Sequence, residues 1–581
     1  MKNIHRYQFL ILIMFVLVTS QGCNKTFDKL AVNPNQPGMA AYFTTPESVN
    51  EAVGALYGYI STQRSLGASG SKIQIIRSDE ASSNSDYGKP GMYGADLNPS
   101  FYTIEQPYTL MYTAASQASF IIEAAPDVDF NGNETLKNAY LGEAHFWRAF
   151  AHYYLLINYR NISPIRKMPE NSSDYVRSVE SPADVWNFIQ EDLITAKSLL
   201  PKKDYWGNAN AGRVSSGSAA ALLGKVYLYR SGIESFYGSN KQTFYSEAAK
   251  EFSDIINNEH GSYELVADYS FNFDADHENN IESVFEIQFK GDVENSNFNP
   301  GLATSGLAFD SRGLMLPGAG VGYEGVVHNW LYDEFVNSID QDGYTDIRMF
   351  STIMFNDLNP AIKLRIENGN KIRLKGPGGT TWEELFPESD GKTGFATVAN
   401  PLAAPFKAGI KKGLDYSMPI QKSASGKPNL SGVGAGVKEY VYNQPRAHGV
   451  NWRYIRYADV LLMYAEAVLS GGTAGSLTPL QAINQVRQRA NLTHLLTISL
   501  NDIKHERILE FALEGHRFYD LLRWGELSTR FAQLQQSDSN FKKFISTNDF
   551  SGFIANKHEW LPIPINEVNT NPYIHSNNPG Y

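Results

Sequence analysis

Carboxylates and arginines alternate in a short segment near the C-terminal end of the chain. The charged side chains there are Glu506, Arg507, Glu510, Glu514, Arg517, Asp520 and Arg523. Carboxylates grouped in this way are typical of general acid–base catalysis. The charges are interleaved with large apolar residues, however, which indicates a buried helix whose arginine forks bind carboxylates of its neighbours. We predict a structural charge network on the last helix of the chain, joined by Asp459 and Glu466.

Other segments resemble catalytic or ligand-binding motifs, but they lack the neighbouring residues or elements that those motifs require. The glycine-rich residues 320–325 (GVGYEG) have the spacing of a dinucleotide-binding fingerprint, but neither a strand nor a βαβ unit surrounds them. His505 and Glu506 lack the second histidine of a zinc-protease helix, and His145 and His152 have no third metal ligand nearby. We predict a flexible glycine loop, histidines of the core or surface, and no metal site.

Three aspartates lie around Gly343, namely Asp340, Asp342 and Asp346. Their grouping is similar to that of the acidic ligands in a calcium-binding loop. An EF-hand would need a bidentate glutamate where Met349 stands, so a capped turn is the preferred interpretation.

Glycoside hydrolysis needs two carboxylates about 5–9.5 Å apart, which the 61 acidic residues alone leave open. No local signature of it is present, nor is a Gly-x-Ser-x-Gly nucleophile elbow. We therefore predict that the protein is not an enzyme and holds no cofactor.

Cys23 is the only cysteine of the chain, and its surroundings indicate export. It follows two cations and an apolar run over residues 9–18, which is typical of a secretory signal and too short to span a bilayer. A single cysteine directly after Gly22 is similar to the acylated residue of bacterial lipoproteins, although ordinary secretion with a free cysteine would explain it too. We expect a signal peptide over residues 1–22 and lipid on Cys23, since two or three acyl chains anchor a protein stably.

The composition narrows the class of protein. The formal net charge is −11 and no basic block occurs, so nucleic acid is not an expected partner. The mature chain would contain no disulfide and no cysteine-bound zinc. Its 33 Tyr and 32 Phe suit both a core and a surface that meets the planar apolar faces of a ligand. No second long apolar run follows the signal, so we expect a soluble body tethered by lipid.

Most of the remaining chain has the pattern of amphipathic helices. Four helix starts combine a hydroxyl side chain with a polar residue three positions later, at Thr45, Ser181, Thr478 and Ser499. Apolar residues then recur with helical period, and small alanines alternate with large side chains on many faces. Such faces allow antiparallel helices to pack closely in pairs, as in tetratricopeptide-like repeats. The predicted fold class is therefore mostly α.

The helical pattern lapses between about residues 257 and 450. Phe285, Ile287 and Phe289 alternate with polar residues, which predicts a strand, and Gly, Pro, Asn and Asp are frequent in the rest. A second irregular stretch covers residues 87–102. We predict an irregular, loop-rich insertion with a few short strands. Long loops on a rigid frame are where binding residues tend to lie.

Several segments carry a resemblance that extends over nearly the whole mature chain. In chain order they are CNKTFDKLAVNPNQP, GEAHFWRAFAHYYLLINY, GRVSSGSAAALLGKVYLYR, IESVFEIQF, RYADVLLMYAEAV, AINQVRQRANL, IKHERILEFALEGHRFYDLLRWG and WLPIPINEVNTNPYIHSNNPGY. Together they resemble the SusD/RagB family of outer-membrane nutrient-binding lipoproteins. One departure is Asn577, where the terminal motif of the family usually has Gln.

The resemblance implies a tetratricopeptide-like helical frame that carries a ligand-facing insertion. It implies capture of oligosaccharides at the cell surface, or of oligopeptides as in RagB-type members, and transfer to a SusC-like TonB-dependent transporter. The protein would be lipid-anchored in the outer membrane and would not be an enzyme; a surface glycoside hydrolase is the remaining alternative. We expect an N-terminal region at 23–270 and a C-terminal region at 271–581, with ligand-facing loops at about 290–450.

In this family the ligand contacts lie on loops from the N-terminal region and from the middle of the chain. The corresponding loops here offer Tyr87, Tyr93, Asn98, Tyr323 and Trp382 as candidates. Aromatic rings would stack on the apolar face of a sugar, and amides would meet its hydroxyls. Trp206, in a polar loop, is a reserve candidate. Trp147, Trp186 and Trp524 lie on helical faces and are expected in the core.

Overall fold

The fold is described from a computed structural model of the 581-residue chain. The structure describes residues 43–581 without 63, 68, 83–96, 170–171, 240, 274–275, 290–308, 311–325, 356–360, 368–369, 373–407, 411, 413–446, 449, 539–540 and 543–551. The α-helices are α1 Pro46–Ser61, α2 Ser69–Ile76, α3 Tyr102–Ala124, α4 Glu134–Tyr159, α5 Pro182–Leu199, α6 Ser216–Tyr237, α7 Tyr245–Ile256, α8 Asn329–Asn337, α9 Arg348–Thr352, α10 Tyr457–Leu469, α11 Pro479–Arg489, α12 Leu500–Phe511, α13 Arg517–Arg523, α14 Leu527–Ser537 and α15 Ile565–Thr570. The strands are β1 Ala81–Ser82, β2 Ser283–Ile287, β3 Phe309–Asp310, β4 Val326–Val327, β5 Ile353–Phe355, β6 Arg365–Glu367, β7 Asn370–Ile372, β8 Ala408–Ile410, β9 Ala447–His448 and β10 Trp452–Arg456.

Each of the four predicted helix starts is confirmed. The side-chain oxygens of Thr45, Ser181, Thr478 and Ser499 accept hydrogen bonds from the backbone N–H three residues later. These bonds satisfy amides that the first helical turn leaves without a partner, and each contributes about 1 kcal/mol. The caps thereby fix the points at which α1, α5, α11 and α12 begin.

Successive helices pack side by side in chain order. α3 packs on α4, α4 on α5, α5 on α6 and α6 on α7; α7 then packs on α10, and α10 on α11. Small residues at these contacts let the backbones approach. A Cβ atom added to Gly224 of α6 would lie only 2.7 Å from the ring of Phe252 on α7. The arrangement confirms the predicted mostly α, tetratricopeptide-like fold.

The strands are short, and they form small sheets between the helices. β2 pairs antiparallel with β10, with Ile287 opposite Trp452, so the strand predicted around Phe285 is confirmed. All five residues of β2 are buried, including Glu286, because both faces of this ribbon are covered. A second sheet has the strand order β1-β4-β8-β5. It joins segments that are far apart in the sequence.

The charged segment differs from the prediction in its backbone. It is not a single helix, because α12 ends at Phe511 and α13 begins at Arg517. Between them Leu513 and Gly515 have φ values of 64° and 82°, in the left-handed region that commonly ends a helix. It is also not the last helix, since α14 and α15 follow. The apolar pattern continues across the break, which is why periodicity alone predicted one helix.

Two of the three tryptophans expected in the core are buried, Trp147 and Trp186. Trp524 is only partly buried against the core, and its indole Nε1 donates to the buried Glu466 at 2.8 Å. Within the described residues no helix combines the length and the apolar character needed to cross a bilayer. The predicted signal peptide and Cys23 lie outside the described residues.

Candidate functional site

Only one of the predicted ligand residues lies within the described part of the chain. Four fall outside it, Tyr87, Tyr93, Tyr323 and Trp382, and they stay predictions. The fifth, Asn98, is half-buried. Its Oδ1 accepts a hydrogen bond from the N–H of Ser100 at 2.9 Å, so its side chain caps the turn that leads into α3. A ligand contact of Asn98 also stays a prediction.

The two loops that carry Tyr87 and Tyr323 attach to neighbouring strands. β1 ends at Ser82, β4 begins at Val326, and these two residues are paired in the antiparallel ladder. The segment after Ser82 and the segment before Val326 therefore leave the same edge of the sheet. In the sequence Tyr323 precedes Val326 by three residues, and Tyr87 follows Ser82 by five.

Buried polar groups support this sheet edge. The backbone carbonyl of Asp79 accepts a hydrogen bond from Nδ1 of His328 at 2.5 Å. A carbonyl can only accept, so Nδ1 carries the proton and Nε2 accepts from the hydroxyl of Ser82. The backbone N–H of His328 donates to the carbonyl of Glu80 at 2.8 Å. The ends of β1 and β4 are thus joined by side-chain contacts as well as by the ladder.

A serine bonded to a histidine is also the arrangement of a nucleophile with its base, but access excludes that role here. Ser82 is fully buried and His328 is 1% exposed. Burial lowers the pKa of His328 to about 4. Its Nδ1 faces a backbone carbonyl rather than the carboxylate that stabilises an imidazolium in a catalytic triad. The pair therefore serves the structure of the sheet edge.

The adjacent carboxyl groups of Asp79 and Glu80 have opposite pKa shifts. Burial opposes ionisation of Asp79, but the guanidinium groups of Arg517 and Arg530 outweigh it and lower its pKa from 3.8 to about 2. Burial, together with the charge of Asp79, raises the pKa of Glu80 from 4.5 to about 8. Divergent carboxyl pairs occur in hydrolase sites, yet neither side chain here is more than 1% exposed. We therefore interpret the pair as part of the support of β1.

A larger network of buried charges surrounds Arg456. Its guanidinium group lies 2.8 Å from Glu282, 2.5 Å from Glu510 and 2.9 Å from Glu514. The cluster consists of five carboxylates and five cations: Asp346, Glu282, Glu506, Glu510 and Glu514 with Arg348, Arg456, Arg487, Arg489 and Lys412. Its charges balance, as buried ions require. Burial opposes ionisation of Glu510, but its arginine partners outweigh it and hold its pKa well below the usual range.

A second balanced cluster joins the charged segment to α6 and α10. Arg507 contacts Asp459 at 2.7 Å and Asp520 at 2.8 Å. Arg523 contacts Asp520 at 2.9 Å and also Glu466, and Lys225 Nζ lies 3.2 Å from Asp459. Asp459 and Glu466 thus lie in contact with the charged segment, as predicted. Arg517 belongs to the Asp79 group, at 2.9 Å.

Most partners of the charged segment could not be recognised in the sequence. Arg348, Lys412 and Lys225 come from segments that are remote in the chain and carry no shared motif. The one local signal is Arg456, which lies three residues before Asp459 in the RYADV segment. The structure places every charged residue of the segment in an ion pair within the core. That this role is structural rather than catalytic stays our prediction.

The aspartates around Gly343 and the side chain of His505 have partners within the protein. Oδ1 of Asp340 accepts from the backbone N–H groups of Asp342 and Tyr344 at 3.0 and 2.9 Å, which confirms the predicted capped turn. His505 lies 3.2 Å from Glu334 at the surface. No group of three or more side chains that could hold a metal ion occurs among the residues described. The glycine loop at 320–325 lies outside them.

The reserve candidate Trp206 lines a cavity of about 230 Å³ between the loop that precedes α6 and strand β2. Its indole Nε1 donates to the carbonyl of Val214 at 3.0 Å, and its side chain is 8% exposed. The adjacent Tyr205 is 44% exposed. The structure therefore places Trp206 in a concave polar site rather than on an open loop.

These features define a helical frame that contains two balanced clusters of buried charge. Comparison with known proteins assigns the family. The model of the SusD family matches residues 281–581, and a model described as "starch-binding associating with outer membrane" matches residues 30–228. The chain belongs to the SusD family.

Individual relatives agree over almost the full length. The SusD-like protein P2 of Formosa agariphila is 24% identical over 99% of this chain and 100% of its own. A SusD superfamily protein of Bacteroides vulgatus is similar in structure, with a TM-score of 0.65, 26% identity, and 93% and 100% of the two chains covered. A surface glycan-binding protein A of Bacteroides thetaiotaomicron, solved with laminarihexaose, has a TM-score of 0.62 and 18% identity over 92% and 100% of the chains.

Proposed function

We propose that this protein binds oligosaccharides at the cell surface and passes them to a SusC-like TonB-dependent transporter. The observation that carries the proposal is the match of both parts of the chain to SusD-type models, one of which is described as starch-binding and associated with the outer membrane. The laminarihexaose complex of a structural neighbour supports a glycan as the ligand. The protein would bind its ligand without converting it.

The sheet edge at Ser82 and Val326 supports a shared ligand surface. Two loops with candidate aromatic residues, Tyr87 and Tyr323, start within a few residues of this pair. Rings carried by both loops would stack on sugar faces, and amides such as that of Asn98 would meet the hydroxyl groups. Such a surface buries little area, so we expect dissociation constants in the micromolar to millimolar range, roughly −4 to −8 kcal/mol.

The cellular arrangement follows from the N-terminal sequence. Lipid on Cys23 would hold the protein in the outer membrane, beside its transporter. Tethering raises the effective concentration of captured ligand at the transporter, so weak binding with fast release would suffice for import. We further propose the division into an N-terminal region at 23–270 and a C-terminal region at 271–581, with the ligand-facing loops at about 290–450.

A binding panel tests the proposal. The protein produced without residues 1–23 is titrated calorimetrically with maltohexaose, laminarihexaose and a set of hexapeptides, and each mixture is then analysed for products. We expect binding of an oligosaccharide and full recovery of it after incubation. Binding of peptides alone would favour a RagB-type peptide receptor. Shortened oligosaccharides would instead show a glycoside hydrolase and contradict the proposal.

A further inference from the structure

The charged side chains in the interior of the cavity at Trp206 already have partners. Arg213 Nε lies 3.1 Å from both carboxylate oxygens of Glu143, and Glu286 lies 3.1 Å from Arg453 Nε. Lys203 Nζ donates to backbone carbonyls at 2.6 and 2.9 Å. A strongly charged ligand would find no free counter-charge among these groups. The interior of the cavity therefore favours a neutral ligand.

Unused hydrogen-bonding groups remain at the rim. Asp204 and Asn208 line the cavity, both are exposed, and neither side chain makes a hydrogen bond to another residue in the described ranges. A carboxylate accepts through two oxygens, and an amide both donates and accepts. Each of the two side chains can therefore bind a hydroxyl group of a ligand in the cavity. At Gly207, which lies between Trp206 and Asn208 in the chain, an added Cβ would meet nothing within 4 Å, so the rim is open there.

An aromatic wall completes the site. Trp206 is held from one side by the guanidinium group of Arg213, 4.6 Å from its ring, and by its hydrogen bond to Val214. Tyr205 meets it edge-on with ring centroids 5.2 Å apart and extends the aromatic surface outward. Held aromatic rings offer an apolar surface at little entropic cost. An apolar wall beside paired hydroxyl-binding groups matches one ring of a sugar, which has an apolar face and a polar rim.

We propose that this cavity is a second carbohydrate site, which takes a single neutral sugar unit of an oligosaccharide. Its volume of about 230 Å³ is below the roughly 300–1,000 Å³ of pockets that enclose a drug-sized ligand, so it fits one ring rather than a chain. The inference rests on the proposed carbohydrate function. It adds a site that uses none of the loop residues Tyr87, Tyr93, Tyr323 and Trp382. We expect a site of this size to bind a free monosaccharide weakly and to act by adding to the avidity of the loops.

Saturation-transfer difference NMR tests the cavity separately from the loops. The probes are the methyl glycosides of glucose, galactose, mannose, xylose and N-acetylglucosamine, and the starting protein carries Tyr87→Ala and Tyr323→Ala to weaken the loop surface. We expect a transfer signal from at least one probe in this background. Adding Asp204→Ala with Asn208→Ala should remove that signal. Ala211→Trp, which fills the cavity from an exposed position of its lining, should do the same.

Asp127→Ala, at an exposed position outside the cavity, is the matched control and should keep the signal. Unfolding midpoints equal to that of the background protein establish that each variant is folded. A background protein without signal from any probe overturns the inference, as does a signal that survives both cavity variants. Calorimetry of the unsubstituted protein with maltohexaose and laminarihexaose tests the proposed function independently. The failure of the second site and the failure of the proposed function can therefore be distinguished.

Discussion

Oε1 of Glu80 accepts a hydrogen bond from the backbone N–H of Leu513 at 3.2 Å, across 433 residues of sequence. Leu513 has a φ of 64° and lies in the break between the two helices of the charged segment. Glu80 directly precedes β1, whose end carries the first candidate ligand loop. One carboxyl group thus connects the support of the loops with the charge network, and its protonation state bears on both.

We predict that Glu80→Gln removes a loss of stability that occurs as the pH rises from about 4.5 to about 8. The pKa of Glu80 is raised in the folded protein, so its proton stabilises the fold fully below the ordinary value of 4.5, and this contribution is lost as pH rises through about 8. At about 1.4 kcal/mol per pKa unit, the stability of the variant should gain about 3–5 kcal/mol over the unsubstituted protein between pH 4.5 and 8.5. Glutamine keeps an acceptor for Leu513. Urea unfolding at several pH values measures the difference.

Glu51→Gln, at an exposed position of α1, serves as the control and should follow the unsubstituted protein at every pH. If the stabilities of Glu80→Gln and the unsubstituted protein run parallel from pH 4.5 to 8.5, Glu80 is not protonated in the folded state and its assigned environment is wrong.

Glu514→Ala should destabilise the protein strongly. Its carboxylate contacts Arg456 at 2.9 Å and Lys412 at 2.7 Å, and loss of one partner of a buried ion pair costs about 3–5 kcal/mol. Glu180→Ala breaks an exposed pair with Arg166, 2.6 Å apart, and should cost at most about 1 kcal/mol. Denaturant midpoints compare the two. A Glu514→Ala protein of unchanged stability that has lost a turnover reaction would show the segment to be catalytic.

Local signals predicted the helices well, because caps and periodicity are properties of neighbouring residues. Thr478 and Ser499 cap the helices that they were expected to begin. The same reasoning missed the break at Leu513 and Gly515, where the φ values are positive and the backbone N–H of Leu513 donates to the distant Glu80. Because the apolar periodicity continues across this turn, periodicity alone does not indicate where the helix ends.

In the candidate sites, too, the sequence predicted local features and missed contacts between distant segments. Charges in the α12–α13 segment indicated a network, but Arg348 and Lys412 reach it only through the folded chain. Trp206 looked like an open-loop residue in the sequence; its cavity exists because strand β2 closes the other side. The meeting of β1 with β4, which brings the two loop attachments together, has no local sequence signal at all.

Cys23→Ser should release the protein from the membrane. Serine cannot take the thioether-linked lipid, and the apolar run that precedes it is too short to span a bilayer. We expect the protein to move from the outer-membrane fraction to the soluble fraction of fractionated cells. Addition of a separate lipoprotein signal in front of the Cys23→Ser chain should restore membrane attachment. Retention of Cys23→Ser in the membrane in unchanged amount would contradict lipid anchoring.

The most direct test of the central claim is the affinity of the loop variant Tyr87→Ala/Tyr323→Ala for the oligosaccharide that the protein binds. Isothermal titration should show a dissociation constant at least about tenfold higher, a loss of 1.4 kcal/mol or more, with an unchanged unfolding midpoint. Tyr175→Ala, at a tyrosine that is 71% exposed elsewhere, should leave the constant unchanged. Equal affinities of the loop variant, the control and the unsubstituted protein would contradict glycan capture by these loops.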